Sequence, residues 1–277
     1  MKPADSILEA YGWRGPVEPG TGRVVRSHGD YYHLVCDEAE GEIVARKKKS
    51  VFAGKEAKSV PVTGDFVKFA YNAQGESMIT EVLPRFSVFE RRDSNARRKS
   101  QILAVNFNTL FIMTGLNENY SVPRIERFLS LASGMGDAEA VLVFTKADIA
   151  GEDEARRVAA EAGERFGVES VAISSLTGFG MEAVRRHARP GRTIAFIGSS
   201  GVGKSTLLNV LAGEEVAATL EIQEWSGKGR HATTSRSLFR LPCGALVVDT
   251  PGVREIGLVG ETEEIRAKGS ATHRWRK

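Results

Sequence analysis

The stretch Gly198-Ser199-Ser200-Gly201-Val202-Gly203-Lys204-Ser205-Thr206 lies between an apolar run, Thr193 to Ile197, and the helix-like Leu207-Leu208-Asn209-Val210-Leu211. The order is strand, glycine loop, helix, and the spacing is G-x-x-x-x-G-K-S. Glycine conformations turn backbone N–H groups inward to cradle phosphates, Lys204 reaches the β- and γ-phosphates, and the Ser205 hydroxyl ligates Mg²⁺. The dipole of the following helix adds to the attraction. An ordinary glycine turn has no need of Lys-Ser at this spacing, so the stretch reads as a phosphate-binding loop.

Downstream, Leu246-Val247-Val248-Asp249-Thr250-Pro251-Gly252 is an apolar strand ending in D-x-x-G. Asp249 sits where a carboxylate holds Mg²⁺ through water, and the Gly252 N–H can meet a γ-phosphate. Between the two motifs runs the polar Gly227-Lys228-Gly229-Arg230-His231-Ala232-Thr233-Thr234. A threonine here, Thr234 in preference to Thr233, completes the Mg²⁺ shell while the γ-phosphate is present and releases it on hydrolysis. Such a switch belongs to the low-stability end of a structure.

Upstream, Val143-Phe144-Thr145-Lys146-Ala147-Asp148 is an apolar strand ending in T-K-x-D. A carboxylate at Asp148 accepts from both N1–H and the exocyclic amine of guanine while the Lys146 stem lies along the ring. Adenine lacks that donor pair, so the geometry rejects ATP. After the next strand, Ser174-Ser175-Leu176 looks like the loop whose backbone N–H reads guanine O6. Four motifs at the C-terminal ends of expected strands define one ligand edge of an open sheet. The reading is a guanine nucleotide site with Mg²⁺ at Ser205, Thr234 and Asp249.

Around these motifs apolar strands at Thr109–Thr114, Val141–Phe144, Val168–Ile173, Thr193–Ile197, Ser237–Leu241 and Ala245–Val248 alternate with helical runs at Arg124–Ser133, Asp153–Phe166, Met181–His187 and Ser205–Ala212. Alternation predicts an α/β domain, residues 102–258, with a mostly parallel sheet covered on both faces. The turn Pro242-Cys243-Gly244 predicts a hairpin and one antiparallel edge. Earlier, β-rich runs at Gly22–Ser27, Tyr31–Cys36, Glu42–Ala45, Asp65–Ala70 and Met78–Val82 are divided by Gly29-Asp30, Gly41, Gly64 and Gly75. That spacing matches a small OB-like β-barrel over residues 20–83. Residues 1–19 read as a loosely attached leader with a helical turn at Ile7–Tyr11, residues 84–101 as a basic linker, and residues 259–277 as a short tail.

Composition agrees with this. Of 277 residues 42% are hydrophobic and 26% charged, which suits a globular chain, and no apolar run reaches bilayer length. The N-terminus lacks a signal-peptide core, so a cytoplasmic protein without membrane contact is expected. Cys36 and Cys243 stand far apart, which argues against a disulfide framework or a cysteine-rich zinc site, and both read as buried small hydrophobes. The net charge of +3 hides basic clusters at Arg46-Lys47-Lys48-Lys49, Arg91-Arg92 and Arg97-Arg98-Lys99 that suit a polyanion.

The motif order is unusual, because both base-reading motifs precede the phosphate loop. A Ras-like GTPase cut after its D-x-x-G strand, with its old ends joined, would give this order with the same six strands. A barrel followed by this permuted order, with G-x-G-R-H-x-T-T and D-T-P-G-V-R-E-x-G-L, resembles the ribosome small-subunit-dependent GTPase family (RsgA/YjeQ). The resemblance spans about Gly22 to Leu258 and includes Pro61-Val62-Thr63-Gly64-Asp65, Leu83-Pro84-Arg85 and Ser175-Leu176-Thr177-Gly178. It implies hydrolysis of GTP to GDP and phosphate in late maturation of the small (30S) subunit, contact with 16S rRNA, and a monomer.

Three departures from the family pattern bear on the site. Thr145 stands where Asn is more usual, which would weaken contact with guanine N7. Residues 253–277 contain no cysteine and one histidine, His273, so the family's zinc site is not expected in this chain. Val253 stands where Ras-like enzymes carry a water-orienting Gln, as is the family's habit, so His231 becomes the candidate catalytic residue. A GTPase with another RNA or protein partner, and a nucleotide-gated RNA-binding module with negligible hydrolysis, are the competing functions.

Overall fold

A computed structural model describes residues 6–56, 59–91, 101–118, 120–213 and 236–248. Helix α1 (Ile7–Ala10) is followed by five strands, β1 (Thr21–His28), β2 (Tyr31–Cys36), β3 (Glu42–Lys47), β4 (Phe66–Ala70) and β5 (Ser77–Val82), with helix α2 (Lys49–Phe52) between β3 and β4. They pair in the order β1-β2-β3-β5-β4, and β4 returns to β1, so the barrel closes. Only the β3–β5 pair within it is parallel. Tyr32, Leu34 and Cys36 fill the barrel together with Val24, Val67 and Ile79. The intervening Val35, with Val25, packs into a different core. Because side chains alternate along a strand, β1 and β2 each serve two hydrophobic layers.

The leader is not loose. Leu8 is buried, Ile7 N donates to Asp37 Oδ1 at 2.6 Å and the Ser6 hydroxyl to Oδ2 at 2.6 Å, and Trp13 packs on Phe66. Nor is the segment after the barrel only a linker. Strand β6 (Val88–Arg91) pairs antiparallel with β7 (Gln101–Val105), and Phe89 is buried. Arg85 grips Asp65 through two contacts of 2.7 Å, with the aspartate side chain wholly buried. Two phrases that marked the family resemblance thus meet in space.

The remaining elements are β8 (Thr109–Gly115), α3 (Val122–Ala132), β9 (Glu139–Thr145), α4 (Ala147–Ala150), α5 (Glu152–Phe166), β10 (Glu169–Ala172), α6 (Met181–Arg185), β11 (Thr193–Gly198), α7 (Lys204–Ala212), β12 (Arg236–Arg240) and β13 (Leu246–Val248). Their sheet order is β10-β9-β8-β11-β13-β12, all parallel except β12. Alternation again sorts the layers: Leu110 and Ile112 of β8 face Ile125, Phe128 and Ala159, whereas Phe111 and Met113 face Met181, Val184 and Leu207. Read from the strand that feeds the phosphate loop, β11-β12-β13-β8-β9-β10 has the strand neighbours expected of the permuted fold.

Barrel and α/β sheet are continuous. Past an irregularity between Val24 and Arg26, β1 leaves β4 and pairs with β12, Arg26 opposite Ser237 and Ser27 opposite Arg236. Beside this joint lies fully buried Arg23. Its guanidinium donates to the carbonyls of Tyr11, of Gly64 at 3.4 Å and of Asn106 at 2.9 Å, and stacks over Phe66. Burial pulls its pKa down to about 9, so it remains charged at neutral pH.

Of the two cysteines expected to be buried, one is and one is not. Cys36 is buried in the barrel, and desolvation pushes its thiol up to about 11. Cys243 is exposed on the hairpin turn between β12 and β13, where the short turn has no core to enter. A water-soluble disulfide reagent is expected to modify Cys243 rapidly and Cys36 only on unfolding. Two fast-reacting thiols in the folded chain would show that the barrel interior opens.

Candidate functional site

Strands β8, β9, β11 and β13 run in one direction, so Gly115, Thr145, Gly198 and Val248 all end at one edge of the sheet. The phosphate loop leaves β11 there. A Cβ on Gly198 would stand 2.6 Å from the Met113 carbonyl, so only glycine lets the strand turn this tightly. Gly201 (φ +71°) and Gly203 (φ +100°) occupy left-handed conformations that turn the backbone around the loop. Val202 is buried between them and anchors the loop to the domain. Lys204 Nζ donates to the carbonyls of Gly198 and Ser199, both at 2.7 Å, which holds its charge inside the loop. Ser205 and Thr206 are exposed on the first turn of α7, while Ser199 is half-buried and Ser200 exposed.

The base-reading motifs assemble beside it. Lys146 is left-handed (φ 63°), which reverses the chain at the end of β9 and starts α4 with buried Ala147 and exposed Asp148. The buried Ser174 hydroxyl donates to Asp148 Oδ1 at 2.5 Å and accepts from Leu176 N at 3.3 Å and Thr177 N at 3.2 Å. One side chain therefore orients the carboxylate and folds the loop that carries Ser175 and Leu176. Gly180 closes that loop at φ +69°, where a Cβ would lie 2.0 Å from the Ala172 carbonyl. Leu176 is 80% exposed despite its size.

Two features were not foreseen from sequence. Thr145 is buried, and its hydroxyl donates to the Val202 carbonyl at 2.7 Å, with the Thr114 carbonyl at 3.3 Å. It braces the base-reading strand against the phosphate loop. At the end of β8, a Cβ on Gly115 would meet Asn117 Oδ1 at 2.7 Å and Lys146 Cδ at 3.7 Å, so this turn shapes the ground beside Lys146. The glycine closing the apolar run Leu110 to Thr114 was the available signal for it.

His231, Thr233, Thr234, Asp249, Gly252 and Val253, like the Arg-rich residues 92–100 and the tail 259–277, lie outside the described residues. Among the described residues no group of three His, Cys, Asp or Glu side chains could hold a metal.

A six-stranded sheet with a phosphate loop on a central strand, a T-K-x-D turn on the strand one beyond its neighbour, and the strand order of a permuted nucleotide-binding domain defines a circularly permuted P-loop GTPase fold. The family model for the RsgA GTPase matches residues 82–259, and the chain belongs to that family of GTP hydrolases. It is 41% identical over 235 residues to the small ribosomal subunit biogenesis GTPase RsgA 2 of Lactiplantibacillus plantarum, covering 85% of this chain and 66% of that protein. It is 40% identical to the small ribosomal subunit biogenesis GTPase RsgA of Syntrophotalea carbinolica, covering 87% and 67%. The chain thus spans about two thirds of the length of these relatives. Among solved structures, YjeQ from Thermotoga maritima superposes with a TM-score of 0.62 at 26% identity over 84% of this chain and 75% of that one. YloQ, described as a circularly permuted GTPase, shares the fold with a TM-score of 0.56 at 20% identity, over 86% of this chain and 73% of that one.

Two substitutions test the site. Asp148→Asn is expected to turn preference from GTP to XTP, because an amide donates to the xanthine carbonyl where a carboxylate only accepts; a variant that kept its full preference for GTP would remove Asp148 from base reading. Thr145→Val keeps the volume and deletes the hydroxyl, leaving the Val202 carbonyl without its donor. GDP affinity should fall by roughly fivefold, a hydrogen bond of about 1 kcal/mol. Thr145→Ser should restore it. Equal affinity in all three proteins would show that the brace plays no part in shaping the loop.

Proposed function

We propose that this chain is an Mg²⁺-dependent GTPase that binds the small (30S) ribosomal subunit through 16S rRNA, acts late in subunit maturation, and leaves as GTP is hydrolysed to GDP and phosphate. The observation that carries the nucleotide reading is the Asp148–Ser174 contact at the same sheet edge as the Lys204 loop. The names of the relatives support the ribosomal partner. Ser205, exposed where α7 leaves the loop, fits as an Mg²⁺ ligand, with Thr234 and Asp249 completing the protein's share. Bound there, Mg²⁺ would offset phosphate charge. Thr145, Lys146, Ala147, Asp148, Ser174, Ser175 and Leu176 take the base, while Gly198 to Thr206 and Gly252 take the phosphates.

The barrel supplies an RNA surface in this reading. Tyr31 is exposed on β2 with the Arg46 guanidinium, itself paired with Glu76 at 2.6 Å, 4.3 Å from its ring centroid, and an exposed aromatic ring beside a guanidinium is of the kind on which bases stack. Arg91, Arg92, Arg97, Arg98 and Lys99 add phosphate contacts. The protein works as a cytoplasmic monomer, and among the described residues no helix is long and apolar enough to cross a membrane.

Val253 has no polar atom to align water, so His231 orients the attacking water once the subunit positions its loop. Basal turnover should be slow, on the order of 10⁻³ to 10⁻² s⁻¹, as in unassisted GTPases. Turnover measured with and without small subunits should rise on subunit addition in the native chain and stay basal in His231→Ala. Intact stimulation in that variant would eliminate His231, and a native chain indifferent to subunits would remove the ribosomal partner.

A further inference from the structure

We propose that Asn117 is a positioning residue for base recognition: its side-chain oxygen, seated at the gap that Gly115 leaves at the end of β8, receives the Lys146 ammonium and so lays the lysine stem along the guanine ring. The inference rests on the reading of Lys146 and Asp148 as the base-reading pair and adds the group that sets the lysine.

The lysine has a fixed origin and no fixed course. Its left-handed backbone, φ 63°, settles where the stem leaves the chain, but a flexible four-carbon stem samples many rotamers from that point. Half-buried Lys146 makes no side-chain hydrogen bond or ion pair with a described residue. The other lysine of the site differs, since Lys204 is held by two carbonyls at 2.7 Å. A stem that serves as a flat support for a purine binds well only when its rotamer is chosen in advance, because ordering it on binding costs affinity. The demand is greater here because the one proton of the Thr145 hydroxyl goes to the Val202 carbonyl at 2.7 Å, which leaves Lys146 and Asp148 to carry the base.

The turn after β8 supplies the guide. Gly115 stands opposite Thr145 in the parallel β8–β9 ladder, and Leu116 N donates to the Thr145 carbonyl at 2.9 Å, so this turn is bonded to the residue before Lys146. A Cβ at Gly115 would lie 2.7 Å from Asn117 Oδ1 and 3.7 Å from Lys146 Cδ. The amide oxygen and the lysine stem therefore approach one vacant position. Gly115 is not among the left-handed glycines, so what its place requires is room for these two groups. The ammonium is one methylene beyond Cδ, close enough to turn toward an oxygen on this flank of the stem. Asn117 is held ready to accept it. Its Nδ2 donates to Glu118 Oε1 at 3.3 Å while Oδ1 faces Gly115, and its carbonyl accepts from Tyr120 N at 2.9 Å. Tyr120 packs on Phe144 of β9, which ties the turn to the strand that carries Lys146. An amide is a neutral acceptor, so it can orient an ammonium without neutralising it.

The test is a double-mutant cycle on the GDP affinity of the full chain, measured by calorimetric titration, with Asn117→Ala and Lys146→Met. Methionine keeps an unbranched stem and lacks the ammonium. Asn117→Ala should lower GDP affinity roughly fivefold in the native background and by less than about twofold in the Lys146→Met background. Asn117→Asp, which keeps the oxygen, should stay within about twofold of the native chain. Equal losses from Asn117→Ala in the two backgrounds overturn the proposal, because a merely structural role of the turn would not depend on the ammonium. No loss in the native background, or a loss in Asn117→Asp as deep as in Asn117→Ala, overturns it as well and leaves the base-reading pair standing. A Lys146→Met chain that binds GDP as tightly as the native one removes Lys146 from base recognition and defeats the reading on which the proposal rests. Should Asn117→Ala fail to fold, Gly115→Ala takes its place in the cycle: its methyl would drive the Asn117 oxygen from the gap, and the same pair of losses is expected.

Discussion

A buried guanidinium is the constraint on which the assembly of this chain depends. Arg23 has no exposed surface, and removing a cation from water is tolerable only when hydrogen-bond acceptors replace the lost hydration. Its acceptors come from Tyr11, Gly64 and Asn106, three segments distant in sequence. The backbone is shaped to deliver them. Gly64 is left-handed at φ +96°, with the position of a Cβ only 2.8 Å from the Val105 carbonyl, and Asn106 takes φ 52° while its side chain bonds Gly64 O and Phe86 N. None of these segments satisfies Arg23 alone, so leader, barrel and the entry to the nucleotide domain form as one unit.

That dependence explains which parts of the fold were legible in the sequence. All five barrel strands and all six strands of the nucleotide domain stand within a residue or two of their expected positions, because apolar alternation and glycine punctuation are local signals. β6 and β7 were missed because their apolar residues, Val88 and Phe89 on one side and Ile102 and Leu103 on the other, flank an Arg-rich stretch that dominates the composition of the segment. The leader was misjudged for a related reason. One buried leucine and a carboxylate thirty residues on, at Asp37, leave no periodic trace.

The candidate site divides along the same line. Glycine loops and strand-terminal motifs are contiguous, so Gly198–Thr206 and Thr145–Asp148 were readable as text. What the text could not carry is the pairing between motifs. Thr145 stands 57 residues from Val202 and Asp148 stands 26 from Ser174. The threonine read as a weakened guanine contact also carries a short, buried donor that holds two motifs in register. Ser174, read only as part of a loop, also aims the carboxylate. Both roles need a small hydroxyl at a crowded place, which residue type permits but spacing does not reveal.

The permuted order acquires a physical rationale from the sheet edges. β12 is one of the two outer strands of the six, and an edge strand presents unpaired N–H and C=O groups to any partner. The barrel's β1 occupies the start of that edge at Arg236 and Ser237. A free edge there would let the strand slide or fray without consequence elsewhere. Capped by a strand whose other end is closed into a barrel and whose residue Arg23 is locked on three carbonyls, the edge of the nucleotide domain becomes continuous with the barrel. Having both base-reading motifs ahead of the phosphate loop places the β12–β13 hairpin late in the chain, where it pairs back onto a barrel that the sequence encodes first.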